Sequence, residues 1–486
     1  MSRYILAVDQ GTTNTKALAV GRDGEIAATA SAPMTVTYPQ PGWAEQSAED
    51  IWQSVRAVID DIVRTVGADA IAGVAISNQR ESIVVWDRAT LTPIAPCVIW
   101  QCRRSAERCA AIRAAGHEPE ILAKTGLGVD PLFPAAKLAW ILDNVSGARA
   151  RAERGDLAAG TVDSWLIARL TAGQVHATDA SNASRTQLLD TATMSWDHEL
   201  GRIFDVPIAI LPELRNSDAD FGSVAPGLSA LSAGTPIRAA IGDSHAALYG
   251  HGVRRPGIVK ATYGTGSSLM TLTPARIASR HGLSGTIGWA TTDGVAHALE
   301  GNISVSGQAA AFMAEMLGLT DAGALAELAA TVPDSNGVAF VPALVGLGAP
   351  HWRDEVRGLV TGLSLGTKPA HLARAAIEAI ALQVMDVYSA MESDLGQELS
   401  GLSADGGASR NDMLMQLQAD LVAGPVRRSG VAELSAIGAA MLAARSLWPD
   451  ADFHLAEPDT FEAMSTSAAN GLKASWWASL ALLLGR

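Results

Sequence analysis

Tyr4-Ile5-Leu6-Ala7-Val8-Asp9-Gln10-Gly11-Thr12-Thr13-Asn14-Thr15-Lys16-Ala17-Leu18-Ala19-Val20 decides how this chain folds. An apolar run, a Gly/Thr/Asn tip and a second apolar run read as a β-hairpin. The tip carries small hydroxyl side chains and is bracketed by a carboxylate, Asp9, and an ammonium, Lys16. Backbone amides and hydroxyls donate to phosphate oxygens, a carboxylate can hold a metal ion or its waters, and an ammonium adds positive charge. Taken alone, the same tip is also a polar turn that needs Gly11 for its backbone angles.

A second segment has the same design. Gly257-Ile258-Val259-Lys260-Ala261 leads into Thr262-Tyr263-Gly264-Thr265-Gly266-Ser267-Ser268 and then Leu269-Met270-Thr271-Leu272. Two such hairpins, one in each half of the chain, imply a duplicated architecture that closes on one nucleotide.

At 486 residues the chain is expected to form two or three domains. Its net charge of −14 argues against a broad nucleic-acid surface, so an anionic substrate has to be drawn by a local site. Met1-Ser2-Arg3 runs straight into the first strand, so no secretory leader is expected. Ala474 to Leu484 is too short an apolar run to span a bilayer and reads as a packing helix, so no membrane partner is expected. Cys97, Cys102 and Cys109 lack zinc-ligand spacing, and so few cysteines suit a reducing cytoplasm.

Strand and helix patterns alternate along the first half. Gly73 to Ser77, Ser82 to Trp86 and Val98-Ile99-Trp100 read as strands, and Glu49 to Val66 as a helix with Ile51, Val55, Val58, Ile59 and Ile62 on one face. The pattern restarts with a strand over Pro236 to Ile241. Long helices are expected over Pro369 to Leu395 and after Gly406-Gly407. This is an α/β layering, with the boundary placed between Gly234 and Gly252: a first domain over 1–245 and a second over 246–486.

Three polar groups follow apolar strands. Asp243 lies where open α/β sheets place ligands, and a carboxylate there can take a proton from an attacking hydroxyl. The same residue is also a common helix cap. Arg80-Glu81 sits between two strands, where charges are costly unless they are paired or bind something; together they can donate to and accept from adjacent hydroxyls of a polyol. Gly406-Gly407 opens a helix, whose start suits a flat ring and a nearby phosphate.

Together these segments resemble the FGGY family of carbohydrate kinases, and within it the glycerol kinases. The resemblance covers residues 3 to 445. It rests on Asp9 to Lys16, Tyr38 to Gln46, Asn78 to Glu81, Trp100 to Arg104, Gly160 to Leu166, Asn182 to Thr186, Thr262 to Gly266, and Gly358 to Leu363 with His371-Leu372 and Ala375 to Glu378. It implies two ribonuclease-H-like domains of the actin and hexokinase type, with ATP and sugar in the cleft between them. It implies that Thr12, Thr13, Asn14 and Lys16 face the ATP phosphates. Thr265, Gly266, Gly307, Gly407 and Asn411 would line the rest of the nucleotide site. Asp9 would help to hold Mg2+ directly or through water, Asp243 would be the general base, and Arg80, Glu81, Trp100 and Asp243 would contact the acceptor. Relatives commonly form homodimers.

Three acceptor positions depart from the glycerol kinase pattern. Leu132 stands in place of a tyrosine, Ser244 of a glutamine and Ser268 of a phenylalanine. Vacated volume and extra hydroxyl partners lead to the expectation of an acceptor longer than glycerol, such as a tetritol, pentitol or ketose, with glycerol itself the alternative. Gly227 to Ser232 carries no charge, so the fructose-bisphosphate regulation of some bacterial relatives is not expected. An ATP-gated, actin-like binding protein without turnover is the alternative of another class.

Overall fold

A computed structural model describes residues 3–464 and 466–485. They form two compact units. The first contains the chain up to Gly252 together with Gly285–Ala298 and Glu433–Leu455. The second contains Val253–Ser284, Leu299–Ala432 and the chain from Ala456 onward. A single cut after residue 245 does not reproduce these units, because two later segments pack into the first one.

In the first unit, five strands lie in the spatial order Ile237–Gly242, Ile71–Asn78, Tyr4–Gln10, Asn14–Val20, Ile26–Pro33. Tyr4–Gln10 pairs antiparallel with Asn14–Val20 and parallel with Ile71–Asn78, which runs parallel to Ile237–Gly242. Ile5 to Val8 and Ala17 to Val20 are buried, so these two strands are covered on both faces and read as continuous apolar runs, whereas the edge strand Ile26–Pro33 has no fully buried residue. One cover is the helix Ala48–Val66, which buries the expected stripe. Its first turn is closed by the Ser47 side chain, which accepts from the Asp50 amide at 3.1 Å.

Another cover is the helix Leu434–Leu447, which packs on the strands Tyr4–Gln10, Ile71–Asn78 and Ile237–Gly242 and on the helix Asp243–Gly250. The two helices cross at glycines. A Cβ on Gly438 would lie 1.9 Å from the Ala246 carbonyl oxygen, and one on Gly250 would lie 2.4 Å from that of Leu434. Neither position admits a side chain, and that close approach brings the late helix onto the early sheet.

In the second unit, Ile258–Tyr263 pairs antiparallel with Ser267–Thr273 and parallel with Gly401–Asp405, which in turn runs parallel to Val426–Arg428. A hairpin followed by two parallel strands therefore occurs once in each unit, the duplication that the two hairpin sequences implied. The helix Pro369–Leu395 starts on a proline and ends at Gly396 with φ 64°, and it buries Ala375, Ala376, Ala379, Ile380 and Val384. Ala474 to Leu484 lies within the helix Thr466–Leu484. Among the described residues no helix is long and apolar enough to cross a membrane. The expected strand over Val98 to Trp100 is shorter: it comprises Cys97–Val98, and Trp100 lies in the turn beyond it.

Candidate active site

Strand register builds one end of the site. Asp9 is paired with Ser77, Gln10 with Asn78, and Asn78 in turn with Gly242. The carboxyl ends of three parallel strands are therefore level, and they deliver Asp9, Arg80-Glu81 and Asp243 to one edge, where open α/β sheets hold ligands. Asp243 is the first residue of the helix Asp243–Gly250. Its Oδ1 accepts from Arg80 Nε at 3.0 Å and from the Ser244 amide at 2.6 Å. Arg80 also approaches Glu81, with 3.9 Å between its guanidinium and Oε1. Burial, with the Asp243 and Glu433 carboxylates adding to it, pushes Asp9 up to about 7, while the Ser77 hydroxyl, 2.8 Å from Oδ1, and Lys16 pull the other way.

The hairpin tip is held from below. Gly11 donates to the Asn14 carbonyl at 3.0 Å, and Gln46 Nε2 donates to the Thr12 carbonyl at 2.9 Å. Thr13 and Asn14 are exposed. Trp100, 39% exposed, donates its indole N–H to Thr12 Oγ1 at 2.9 Å, so a residue expected at the acceptor touches one expected at the phosphates. Lys16 Nζ donates to both carboxylate oxygens of Glu433, at 2.8 and 3.0 Å. Leu132 is half-buried just before Phe133, and Ser244 is buried.

In the second unit the hairpin turn meets the start of the helix Gly307–Met316. The Gly307 amide donates to the Gly264 carbonyl at 3.0 Å, and the Ser306 and Gln308 amides donate to the Thr265 carbonyl at 2.9 and 3.1 Å. A Cβ on Gly307 would lie 2.6 Å from Gly264 O, and one on Gly266 would lie 2.4 Å from Ile303 O. Gly406 packs against Tyr263 of the same hairpin, and open space surrounds Gly407. Thr265, Gly266, Gly307 and Gly407 thus gather at one sheet end. Asn411 begins the next helix, and its Oδ1 accepts from the Leu414 amide at 3.0 Å. Ser268 donates to Glu300 Oε1 at 3.2 Å, so its hydroxyl has a protein partner.

Several supporting residues were missed in the sequence. Arg185 lies in the Asn182-to-Thr186 segment with no local sign of its partner, and its Nε donates to Glu81 Oε1 at 2.7 Å. Gln79 ties Gln10, Gln46, Thr12 and Ser82 together beneath the tip. Lys137 is one charge on an otherwise apolar helix face, a pattern that by itself marks a buried, partnered lysine.

Two family models cover most of the chain: the N-terminal domain of the FGGY family of carbohydrate kinases over residues 4–250, and its C-terminal domain over 259–447. The chain belongs to this family. It is an ATP-dependent phosphotransferase with an alcohol group as acceptor and uses Mg2+, so the reading as a binding protein without turnover is set aside. It is similar to the glycerol kinase of Citrifermentans bemidjiense, 47% identical over 446 residues that make up 90% of this chain and 89% of the relative. It is also similar to that of Dechloromonas aromatica, 46% identical over 454 residues, or 92% and 90% of the two chains. Among solved structures, Plasmodium falciparum glycerol kinase with ADP superposes with a TM-score of 0.92 at 28% identity, covering 99% of this chain and 98% of the other. A ligand-bound xylulose kinase from Lactobacillus acidophilus shares the two-domain α/β fold at a TM-score of 0.90 and 21% identity, with 99% and 98% covered.

Proposed function

We propose that this kinase transfers the γ-phosphoryl group of ATP to a hydroxyl of glycerol. The observation that carries the reading is the Arg80–Asp243 pair beside Glu81 at the ends of parallel strands. Asp243 orients the attacking hydroxyl and takes its proton at a carboxylate oxygen, while Arg80 and Glu81 donate to and accept from the remaining hydroxyls. Trp100 offers an apolar indole face to the carbon chain. Thr12, Thr13, Asn14 and Lys16 serve the phosphates, and Thr265, Gly266, Gly307, Gly407 and Asn411 serve the rest of the nucleotide. Asp9 would hold Mg2+, directly or through water. Its carboxyl is pushed upward first by burial and then by the Asp243 and Glu433 carboxylates, and a dication beside it would offset that. One or two carboxylates with phosphate oxygens and waters suffice for this ion, which neutralises phosphate charge when bound. Lys16 must exchange its Glu433 partner for phosphate oxygens.

The relatives named glycerol kinase, at 43–47% identity over some nine-tenths of the chain, favour glycerol over the longer acceptor expected from the sequence. Leu132 and Ser244 favour a second reading, a four- or five-carbon polyol or ketose, because both replace larger polar side chains of that pattern. The test is kcat/KM for glycerol, erythritol, threitol, xylitol, xylulose and ribulose at saturating ATP and Mg2+. Glycerol is expected to give the highest value. A higher value for any longer acceptor replaces the glycerol reading with the second.

A further inference from the structure

Lys137 lies on the helix Pro134–Asn144 among Ala135, Ala136, Leu138, Ala139 and Ile141, all buried. It is itself wholly buried, and its ammonium donates to two backbone carbonyls: Leu132 O at 2.6 Å and Glu81 O at 2.9 Å. Lysine is almost never placed so deeply unless it is paired. Burial depresses it to about 8, so its charge is held at a cost that a methionine of similar reach would not incur.

Both acceptors of this ammonium belong to residues of the acceptor seat. Glu81 has φ 58°, a left-handed backbone seldom adopted outside glycine and asparagine, and one found where surrounding structure enforces it. Arg185, wholly buried, completes the enforcement. Its Nε holds Glu81 Oε1, and its guanidinium carbon lies 5.2 Å from the centre of the Phe133 ring, next to Leu132. Two buried cations therefore tie the Glu81 turn to the Leu132-Phe133 turn, Lys137 through the backbone and Arg185 through side chains.

We propose that Lys137 is a positioning residue for acceptor selectivity. It touches neither acceptor nor nucleotide but fixes the spacing between Glu81 and Leu132, and with it the width of the seat. The proposal rests on the reading that the acceptor lies against Arg80, Glu81 and Asp243. A lysine that merely filled the core would alter stability and leave the choice among acceptors unchanged.

The test compares the wild-type chain with Lys137→Met and Lys137→Arg, using glycerol and erythritol at saturating ATP, then ATP at saturating glycerol. For Lys137→Met, KM for glycerol is expected to rise at least tenfold and KM for ATP to stay within twofold. The ratio of kcat/KM for glycerol to that for erythritol should move at least fivefold. If Lys137→Met does not fold, Lys137→Arg decides: charge is kept but the donors are displaced, and KM for glycerol should rise at least threefold with the ratio shifted. A folded variant with KM and ratio within twofold of wild type overturns the proposal and leaves the acceptor reading standing. A wild-type chain that binds ATP but phosphorylates no polyol overturns the acceptor reading, and the proposal with it.

Discussion

Arg80 Nε and Asp243 Oδ1 lie 3.0 Å apart although 163 residues separate them in the chain. The parallel strands Ile71–Asn78 and Ile237–Gly242 run side by side and end level, so each delivers its next residues to the same edge. The Ser244 amide holds the same oxygen at 2.6 Å. Two donors on one oxygen fix the carboxylate's rotamer before any substrate arrives, which is the preorganisation a proton-accepting group requires.

Asp243→Asn should therefore fold and bind nucleotide while losing turnover. General-base removal costs about 10²- to 10⁴-fold in rate. Calorimetric titration with ADP should match wild type while kcat falls into that range. Wild-type kcat would remove Asp243 from the proton-transfer role.

Arg80→Lys keeps the positive charge but loses the planar fork that reaches Asp243 and Glu81 together. KM for the acceptor and kcat should both worsen, with a combined loss in kcat/KM of about 10²-fold, roughly 2.7 kcal/mol. KM for ATP should stay within twofold. A matching rise in the ATP constant would show that Arg80 serves the nucleotide instead.

His176 gives the first unit an acid limit. Its Nε2 donates to the Ala159 carbonyl at 3.0 Å, and burial, with Arg88 nearby, holds the imidazole down at about 4. The unfolded chain takes up this proton near pH 6.5, well before the folded one, so stability is complete above pH 6.5 and is lost as pH falls towards 4. The loss attributable to this residue is roughly 3 kcal/mol. Urea unfolding of wild type and His176→Phe at pH 7 and 4.5 measures it: wild type should lose more stability than the variant. Equal losses would place the imidazole in water.

Gly266→Ala sets a methyl group 2.4 Å from the Ile303 carbonyl oxygen. Relief of that clash moves the hairpin turn away from the start of the helix Gly307–Met316. Overpacking of this kind costs about 1–3 kcal/mol. KM for ATP should rise at least tenfold with KM for the acceptor little changed. An unchanged ATP constant would mean that this turn does not serve the nucleotide.

The two hairpins were legible because an apolar run, a Gly/Thr tip and another apolar run have few other solutions, and each carried its phosphate-type residues with it. Arg80, Glu81 and Asp243 were legible as charges placed directly after strands. Lys137 and Arg185 were not, because their partners are a backbone carbonyl pair and a side chain more than a hundred positions away. The Lys16–Glu433 contact spans 417 positions and leaves no local pattern. Trp100 lies outside the strand expected for it because three consecutive apolar residues have no measurable period. The place of the helix Leu434–Leu447 is not legible for a related reason: a run of small residues declares close packing without naming the surface it packs on.

That helix also dictates the order in which the molecule can mature. The strands Tyr4–Gln10, Ile71–Asn78 and Ile237–Gly242 leave the ribosome long before the residues that cover them, which arrive after some 190 more positions have been translated. Until then the nascent first unit presents a greasy sheet face beneath the slots of Gly250 and Ala246. A chain halted at residue 432 would have its phosphate hairpin, its Arg80 and its Asp243, and still lack the lid of its own core. The sheet edge that carries Asp9 and Asp243 thus gains its cover only once residues 434–447 have been made.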